Sequence, residues 1–179
     1  MQSRMSRTLG VAAVSAMAVF GMAQAHATKG GEFKSCLKTP LVEFNGTIVD
    51  AAVATPALST LTSLVINAGL VGALNGPGNL TVYAPTNDAF EKVPGALLTA
   101  IGSDNDVLTA VLTYHVVAGP GDPRRSPIPR EVVTLQGQSV FLDSDRGEAQ
   151  VNQSVAACQG VRTTNGTVWI IDSVLLPQF

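Results

Sequence analysis

The stretch that decides the fold is VRTTNGTVWIID, residues 161–172. Two runs rich in strand formers flank the dipeptide Asn165-Gly166, and both of these turn residues tolerate a positive φ. The pattern predicts an antiparallel β-hairpin with its turn at Asn165-Gly166.

Working outward from the hairpin, the sequence changes in character along the chain. Helical patterns come first: Thr47 and Asp50 have the spacing of a capping box, and apolar residues then recur at three and four positions. The helices are predicted at 47–54, 55–69, 95–101 and 106–112. Strands are predicted at 80–84, 132–135, 139–142, 149–151, 155–158, 161–164 and 167–176. Segregated helices and a mainly antiparallel sheet predict an α+β fold.

Three ordered blocks of the sequence resemble the fasciclin domain family. They are LTVYAPTNDAF at 80–90, LTYHVV at 112–117 and NGTVWIIDSVLLP at 165–177. The resemblance implies a wedge of twisted, mainly antiparallel strands with several short helices packed along one side. We assign the fasciclin domain to residues 46–179 and an N-terminal arm to residues 28–45. Relatives are known mostly in cell adhesion and matrix contact, and some algal members carry carotenoids.

The first residues have the features of a secretory signal peptide. Arg4 and Arg7 precede an apolar run, 9–22, which is followed by small-x-small cleavage patterns. We therefore expect residues 1–27 to be removed and the protein to be secreted, extracellular or periplasmic, with no membrane span in its mature form. Loss of both arginines leaves nine Lys plus Arg against 13 Asp plus Glu, a formal charge of −4. A surface of that sign does not favour nucleic acid.

The two cysteines, Cys36 and Cys158, stand near the two ends of the mature chain. Because an exported protein meets an oxidising compartment, we expect a Cys36–Cys158 disulfide, the alternative being two unpaired thiols. Neither cysteine has a second cysteine or a histidine at metal-ligand spacing. No metal site is predicted.

The segment GPGDPRRSPIPR, residues 119–130, contains four prolines and three arginines. Proline forbids a regular helix, so we expect an extended, exposed loop. Arg124, Arg125 and Arg130 would then form a partner-binding arm. The alternative is a solvated connector whose charges only maintain solubility.

Catalytic motifs are not recognisable in the sequence, and we expect no enzyme. His115 is the only histidine outside the signal region, and a histidine-dependent hydrolase would need it accessible. We expect it instead to be buried or half-buried and hydrogen-bonded, with direct partner contact as the alternative. In adhesive relatives a tyrosine-histidine element and an Asp-Ile pair are associated with integrin contact. The resemblance makes Tyr114, His115, Asp106 and Val107 candidate partner-binding residues.

Two functions from different classes follow. The first is a secreted binding protein for cell adhesion or extracellular protein contact. The second is a carrier of an extended apolar ligand such as a carotenoid or lipid, suggested by the aliphatic helices of 58–74 and by the carotenoid-carrying relatives. Carriage predicts an apolar groove or tunnel that side chains do not fill. The first function needs no cofactor.

Overall fold

The computed structural model describes residues 33–126, 128–144 and 147–178. The predicted signal peptide, residues 1–27, lies outside the described residues, as does the beginning of the predicted arm. The arm is described from residue 33, where a single helical turn, α1 (Phe33–Cys36), leads into a short strand, β1 (Val42–Glu43).

Six further helices and two 3-10 turns belong to the described residues. The helices are α2 (Ile48–Val53), α3 (Ser59–Asn67), α4 (Val71–Leu74), α5 (Asn87–Glu91), α6 (Gly95–Ser103) and α7 (Asn105–Tyr114). The 3-10 turns are Pro56–Leu58 and Pro123–Arg125. The predicted capping box of α2 is confirmed, since the Thr47 hydroxyl accepts from the Asp50 N–H at 3.2 Å and the Asp50 carboxylate accepts from the Thr47 N–H at 2.8 Å.

Most strands follow the helices, although β1 precedes α2 and a second strand separates α4 from α5, and the strands form two sheets. The remaining strands are β2 (Leu80–Pro85), β3 (Val116–Ala118), β4 (Arg130–Val133), β5 (Ser139–Asp143), β6 (Gln150–Val151), β7 (Ser154–Val155), β8 (Val161–Thr163) and β9 (Gly166–Ile171). The first sheet has the order β1-β8-β9-β2-β3 and the second β4-β5-β6-β7. Within the described residues, β1 with β8 and β2 with β9 are parallel pairs and the other five pairs are antiparallel. The predicted α+β class is confirmed.

The predicted hairpin exists, but its turn lies one residue earlier than expected. Thr163 pairs with Gly166, so the two turn residues are Thr164 and Asn165, and neither has a positive φ. Asn165 is buried, where its side chain accepts from the Ile48 N–H at 2.9 Å and donates to the Leu74 carbonyl at 2.7 Å. Gly166 meets the neighbouring strand so closely that a Cβ would collide with the Leu80 carbonyl. Tertiary contacts, rather than turn propensity, set this register.

Two clusters of buried side chains form the core. The helical half lies between the helices and one side of the first sheet, and it consists of aliphatic residues with one aromatic ring, Phe90. The sheet half lies between the two sheets and contains Tyr83, Tyr114 and Trp169. Across the described ranges, no helix is long and apolar enough to cross a membrane.

Candidate functional site

The first half of the arginine-rich segment is packed onto the domain. The Gly121 N–H donates to the Thr81 hydroxyl at 3.1 Å, and the Tyr83 hydroxyl donates to the Gly121 carbonyl at 3.0 Å. Asp122 then caps the 3-10 turn by accepting from the Arg124 N–H at 3.0 Å. The expectation of an extended, exposed loop is therefore wrong for this half.

Arg124 is a buried side chain, with 4% of its surface exposed. Its guanidinium donates to the carbonyls of Thr39 at 2.7 Å, Cys158 at 3.0 Å and Cys36 at 3.3 Å. The same group donates to both carboxylate oxygens of Asp122 and lies 4.6 Å from the centre of a Trp169 ring. The prediction of Arg124 as an exposed partner-binding residue is wrong, because every face of its guanidinium is used internally.

The predicted disulfide is confirmed and stands beside this arginine. Cys36 and Cys158 are bonded, and the backbone carbonyls of both cysteines accept from Arg124. The disulfide, together with the hydrogen bonds from Arg124 to the carbonyls of Cys36 and Thr39, thus fastens the N-terminal arm to the rest of the domain. We call this group of Cys36, Asp122, Arg124, Cys158 and Trp169 the arginine clamp.

Arg125 and Arg130 are the exposed arginines of the segment. The Arg125 side chain is 72% exposed, and its Nε lies 3.4 Å from the Asp122 carboxylate. Arg130 is exposed at the start of β4. The Ser144 N–H donates to the Ser126 carbonyl at 2.9 Å, and this bond holds the 3-10 turn Pro123–Arg125 beside the end of β5. Both arginines can meet a partner, and that role stays a prediction.

Tyr114 lies at the end of α7 and is buried, contrary to a role in a contact surface. Its hydroxyl donates to the Ser139 carbonyl at 3.0 Å and accepts from the Asn152 side chain at 3.2 Å. These bonds fix α7 to the four-stranded sheet. The prediction of Tyr114 as a partner-binding residue is therefore wrong for the folded domain.

His115 is buried and hydrogen-bonded, as predicted. Its Nδ1 lies 2.8 Å from the Val111 carbonyl, and its Nε2 accepts from the Leu175 N–H at 2.9 Å. These partners require a neutral ring with the proton on Nδ1. Burial lowers the pKa of His115 to about 4. With both nitrogens occupied, His115 contacts no partner, and the histidine-dependent hydrolase hypothesis fails.

Asp106 and Val107 lie in the first turn of α7, where the Asp104 side chain accepts from both of their N–H groups. Asp106 is exposed and Val107 is half-buried. Eight residues separate Asp106 from Tyr114, which corresponds to about 12 Å along a helix. The structure does not bring the Asp-Val pair and the tyrosine together, and partner contact by Asp106 and Val107 remains a prediction.

The residues that sequence reasoning missed lie on the outward surface of the second sheet. Val133 is 61% exposed and Phe141 is 49% exposed, and Phe141 lies directly across from Glu131. We call Glu131, Val133 and Phe141 the outer sheet face. The sequence carried a signal for it, since Val132-Val133 and Val140-Phe141-Leu142 are consecutive apolar residues where a sheet with one solvated face would alternate.

Two apolar cavities lie in and beside the helical half. The larger holds about 150 Å³ and the smaller, under α2 and α3, about 50 Å³. Pockets for drug-sized ligands start at roughly 300 Å³, and a carotenoid or long acyl chain is larger still. Both cavities are therefore smaller than the tunnel that a carrier of an extended apolar ligand would need.

A metal site has no basis in the described ranges, 33–126, 128–144 and 147–178. No group of three or more His, Cys, Asp or Glu side chains lies close enough there to hold an ion.

Similarity to known proteins was found at three levels. The family model of the fasciclin domain matches residues 56–177. The cell surface glycolipoprotein MPB83 of Mycobacterium bovis is 42% identical over 73% of this chain, which spans 60% of that relative. The immunogenic protein MPB70 of the same species is 41% identical over 71% of this chain and 67% of its own length. A solved FAS1 domain pair from the insect cell adhesion molecule fasciclin I aligns with 66% of this chain and 45% of its own, at 18% identity and a TM-score of 0.49.

Proposed function

The chain belongs to the fasciclin domain family, and from this premise we propose that it is an extracellular binding protein that contacts a protein partner at or near the cell surface. The names of its relatives, a cell surface glycolipoprotein and an immunogenic protein, support this placement. The predicted signal peptide and the disulfide fit the same compartment.

The observation that carries the proposal is the apolar character of the outer sheet face. Val133 and Phe141 are diagonal neighbours on adjacent strands, a separation of roughly 7–8 Å that lets large side chains touch. Together they expose an aliphatic and an aromatic group on a sheet surface. Clustered apolar side chains on a soluble domain indicate a contact surface, and aromatic residues are enriched at the centres of interfaces.

Two exposed arginines near this face suggest the character of the partner. The turn with Arg125 lies beside β5, and Arg130 is exposed at the first position of β4, where it pairs with Leu142 and so lies on the other side of the strand from Glu131. Arginine is enriched at protein interfaces because its planar group forms paired bonds to carboxylates. We therefore expect a partner whose apolar contact is bordered by Asp or Glu side chains.

The test is a binding isotherm of the labelled protein on intact cells of its source organism. Val133→Ser combined with Phe141→Ser should weaken binding at least about tenfold, because a buried hot-spot side chain contributes on the order of 2 kcal/mol. Arg125→Gln combined with Arg130→Gln should weaken it less and remove much of its salt dependence. Trypsin treatment of the cells should abolish binding if the partner is a protein.

The matched control lies on the helical side of the domain. Val53 and Ile66 are 63% and 57% exposed, so Val53→Ser with Ile66→Ser removes similar apolar surface far from the second sheet. This control should bind as the unaltered protein does. Equal binding by all variants, or a loss confined to the control, would contradict the proposed surface.

A further inference from the structure

The cavity of about 150 Å³ lies within the helical half, enclosed mainly by α3, α6 and α7. Leu64 of α3, Leu98 and Ile101 of α6, and Leu108 and Val111 of α7 form much of its wall. Protein interiors normally have few voids larger than a water molecule. An apolar space of this size is therefore unusual in a native fold.

Water is a poor occupant for this space. The polar side chains in the wall are those of Thr60 and His115, and both ring nitrogens of His115 are already bonded. A buried water needs two to four polar partners, and an apolar cavity of this volume stays dry and admits benzene or xenon in a well-studied engineered case. The wall thus favours a ligand without hydrogen-bonding groups.

Helix α6 offers a route into the cavity. Among its residues Gly95–Ser103 only Ile101 is buried, and its N-cap, Pro94, makes no side-chain capping bond. The hydroxyls of Thr99 and Ser103 donate to carbonyls of the same helix, at 2.9 Å and 2.6 Å. Because these side-chain bonds stay within α6, the helix is held to the domain mainly by apolar packing, including that of Ile101.

We infer that this cavity is a binding site for a small, wholly apolar molecule, a single aromatic ring or a compact hydrocarbon of similar size. The site is formed by the helical half, whereas the proposed partner surface lies on the outward side of the second sheet. The cavity site and the partner surface can therefore be tested by separate experiments, and either can be rejected without the other. A volume of about 150 Å³ is smaller than an extended ligand such as a carotenoid would need at this site.

The experiment uses benzene as the probe and the purified protein with its disulfide intact. Benzene should raise Tm saturably, by about 2–4 °C near its solubility limit, because a ligand that binds only the folded state stabilises it. Resonances of residues in α3, α6 and α7 should shift in two-dimensional NMR spectra with the same concentration dependence. Sodium dodecanoate, with a twelve-carbon chain, should bind at least about tenfold more weakly.

Filling the cavity provides the variants. Val111→Phe places a ring in the space and should weaken benzene binding at least about tenfold, and Leu64→Phe does the same from α3 should the first variant fold poorly. Ile66→Phe is the matched control, since Ile66 lies on α3, is 57% exposed and does not line the cavity.

Saturable benzene binding that is lost in the filled variants and kept in the control supports the site. The inference is overturned if the unaltered protein shows no saturable effect, or if benzene binds all variants alike. Binding of dodecanoate as tight as that of benzene would overturn the size limit.

Discussion

The two halves of the core are stabilised in different ways. In the sheet half, large side chains carry polar groups whose partners are specific: the Tyr83 hydroxyl bonds to Gly121, that of Tyr114 to Ser139, and Arg124 to three carbonyls. Burial raises the pKa of Tyr83, which keeps that hydroxyl a donor. The helical half instead consists of aliphatic contacts around unfilled space. Removing one hydrogen-bonded group from the sheet half should therefore lower the free energy of unfolding more than removing one aliphatic group from the helical half.

The largest expected effect comes from the arginine clamp. Arg124→Met should lower the free energy of unfolding by about 3–5 kcal/mol, because it removes the guanidinium that the carbonyls of Cys36, Thr39 and Cys158 accept from and that forms the buried pair with Asp122. Urea denaturation at neutral pH, with the disulfide intact, measures the change.

The neighbouring residue is the control for the clamp. Arg125→Met removes an equal charge from a side chain that is 72% exposed, and it should cost less than about 1 kcal/mol. Similar losses for both variants would show that the buried bonds of Arg124 contribute little, and the contrast between the two halves would then lose its main support.

His115 joins the two halves, and its titration should make stability depend on pH. The unfolded chain binds a proton near pH 6.5 and the folded ring only near pH 4, so stability falls as pH drops through this window. The loss amounts to about 3 kcal/mol at most. Above pH 6.5 the residue contributes no pH dependence.

Urea denaturation at pH 7.0, 6.0 and 5.0 measures this slope. His115→Gln should be less stable at neutral pH and should lack the His115 part of the slope, so its curve is flatter over the same range. A variant slope as steep as that of the unaltered protein would assign the pH dependence to other groups.

The smallest expected effect on the free energy of unfolding comes from a Leu→Phe substitution, which we compare between the two halves. Leu64→Phe adds volume beside the cavity of about 150 Å³ and should raise the free energy of unfolding by up to about 1 kcal/mol. Leu142→Phe adds the same volume at a fully buried position in the sheet half and should cost about 1–3 kcal/mol through overpacking. Thermal unfolding of both variants checks the signs, and equal signs would mean that the two halves are packed alike.

Much of the fold could be predicted because its signals are local or covalent. The capping box of Thr47 and Asp50 is satisfied within one helical turn, and the strand 80–84 is bounded by its own turn residues. Two cysteines in the sequence allow one intramolecular pairing, and the disulfide is confirmed. The burial of His115 was likewise expected from its place between apolar residues.

The candidate surface could be predicted only in part. Arg125 and Arg130 are exposed as expected, whereas Arg124 between them is buried. Within a run of polar and proline residues, the sequence does not distinguish a buried arginine from an exposed one. The difference depends on which groups accept hydrogen bonds from the guanidinium. The outer sheet face was not predicted because the sequence alone does not distinguish an exposed apolar residue of a strand from a buried one.

What the sequence determined by itself is therefore the broad order of the longer helices and strands, the capping box of α2, the disulfide and the family, since each rests on neighbours along the chain or on a motif. Tertiary structure alone decided that Arg124 is buried, that Asn165 caps a helix 117 residues away, and that the helical half leaves a cavity. These properties depend on donors, acceptors and side-chain volumes brought together from distant parts of the chain. Their free energy is set by three-dimensional burial and geometry, which residue spacing does not encode.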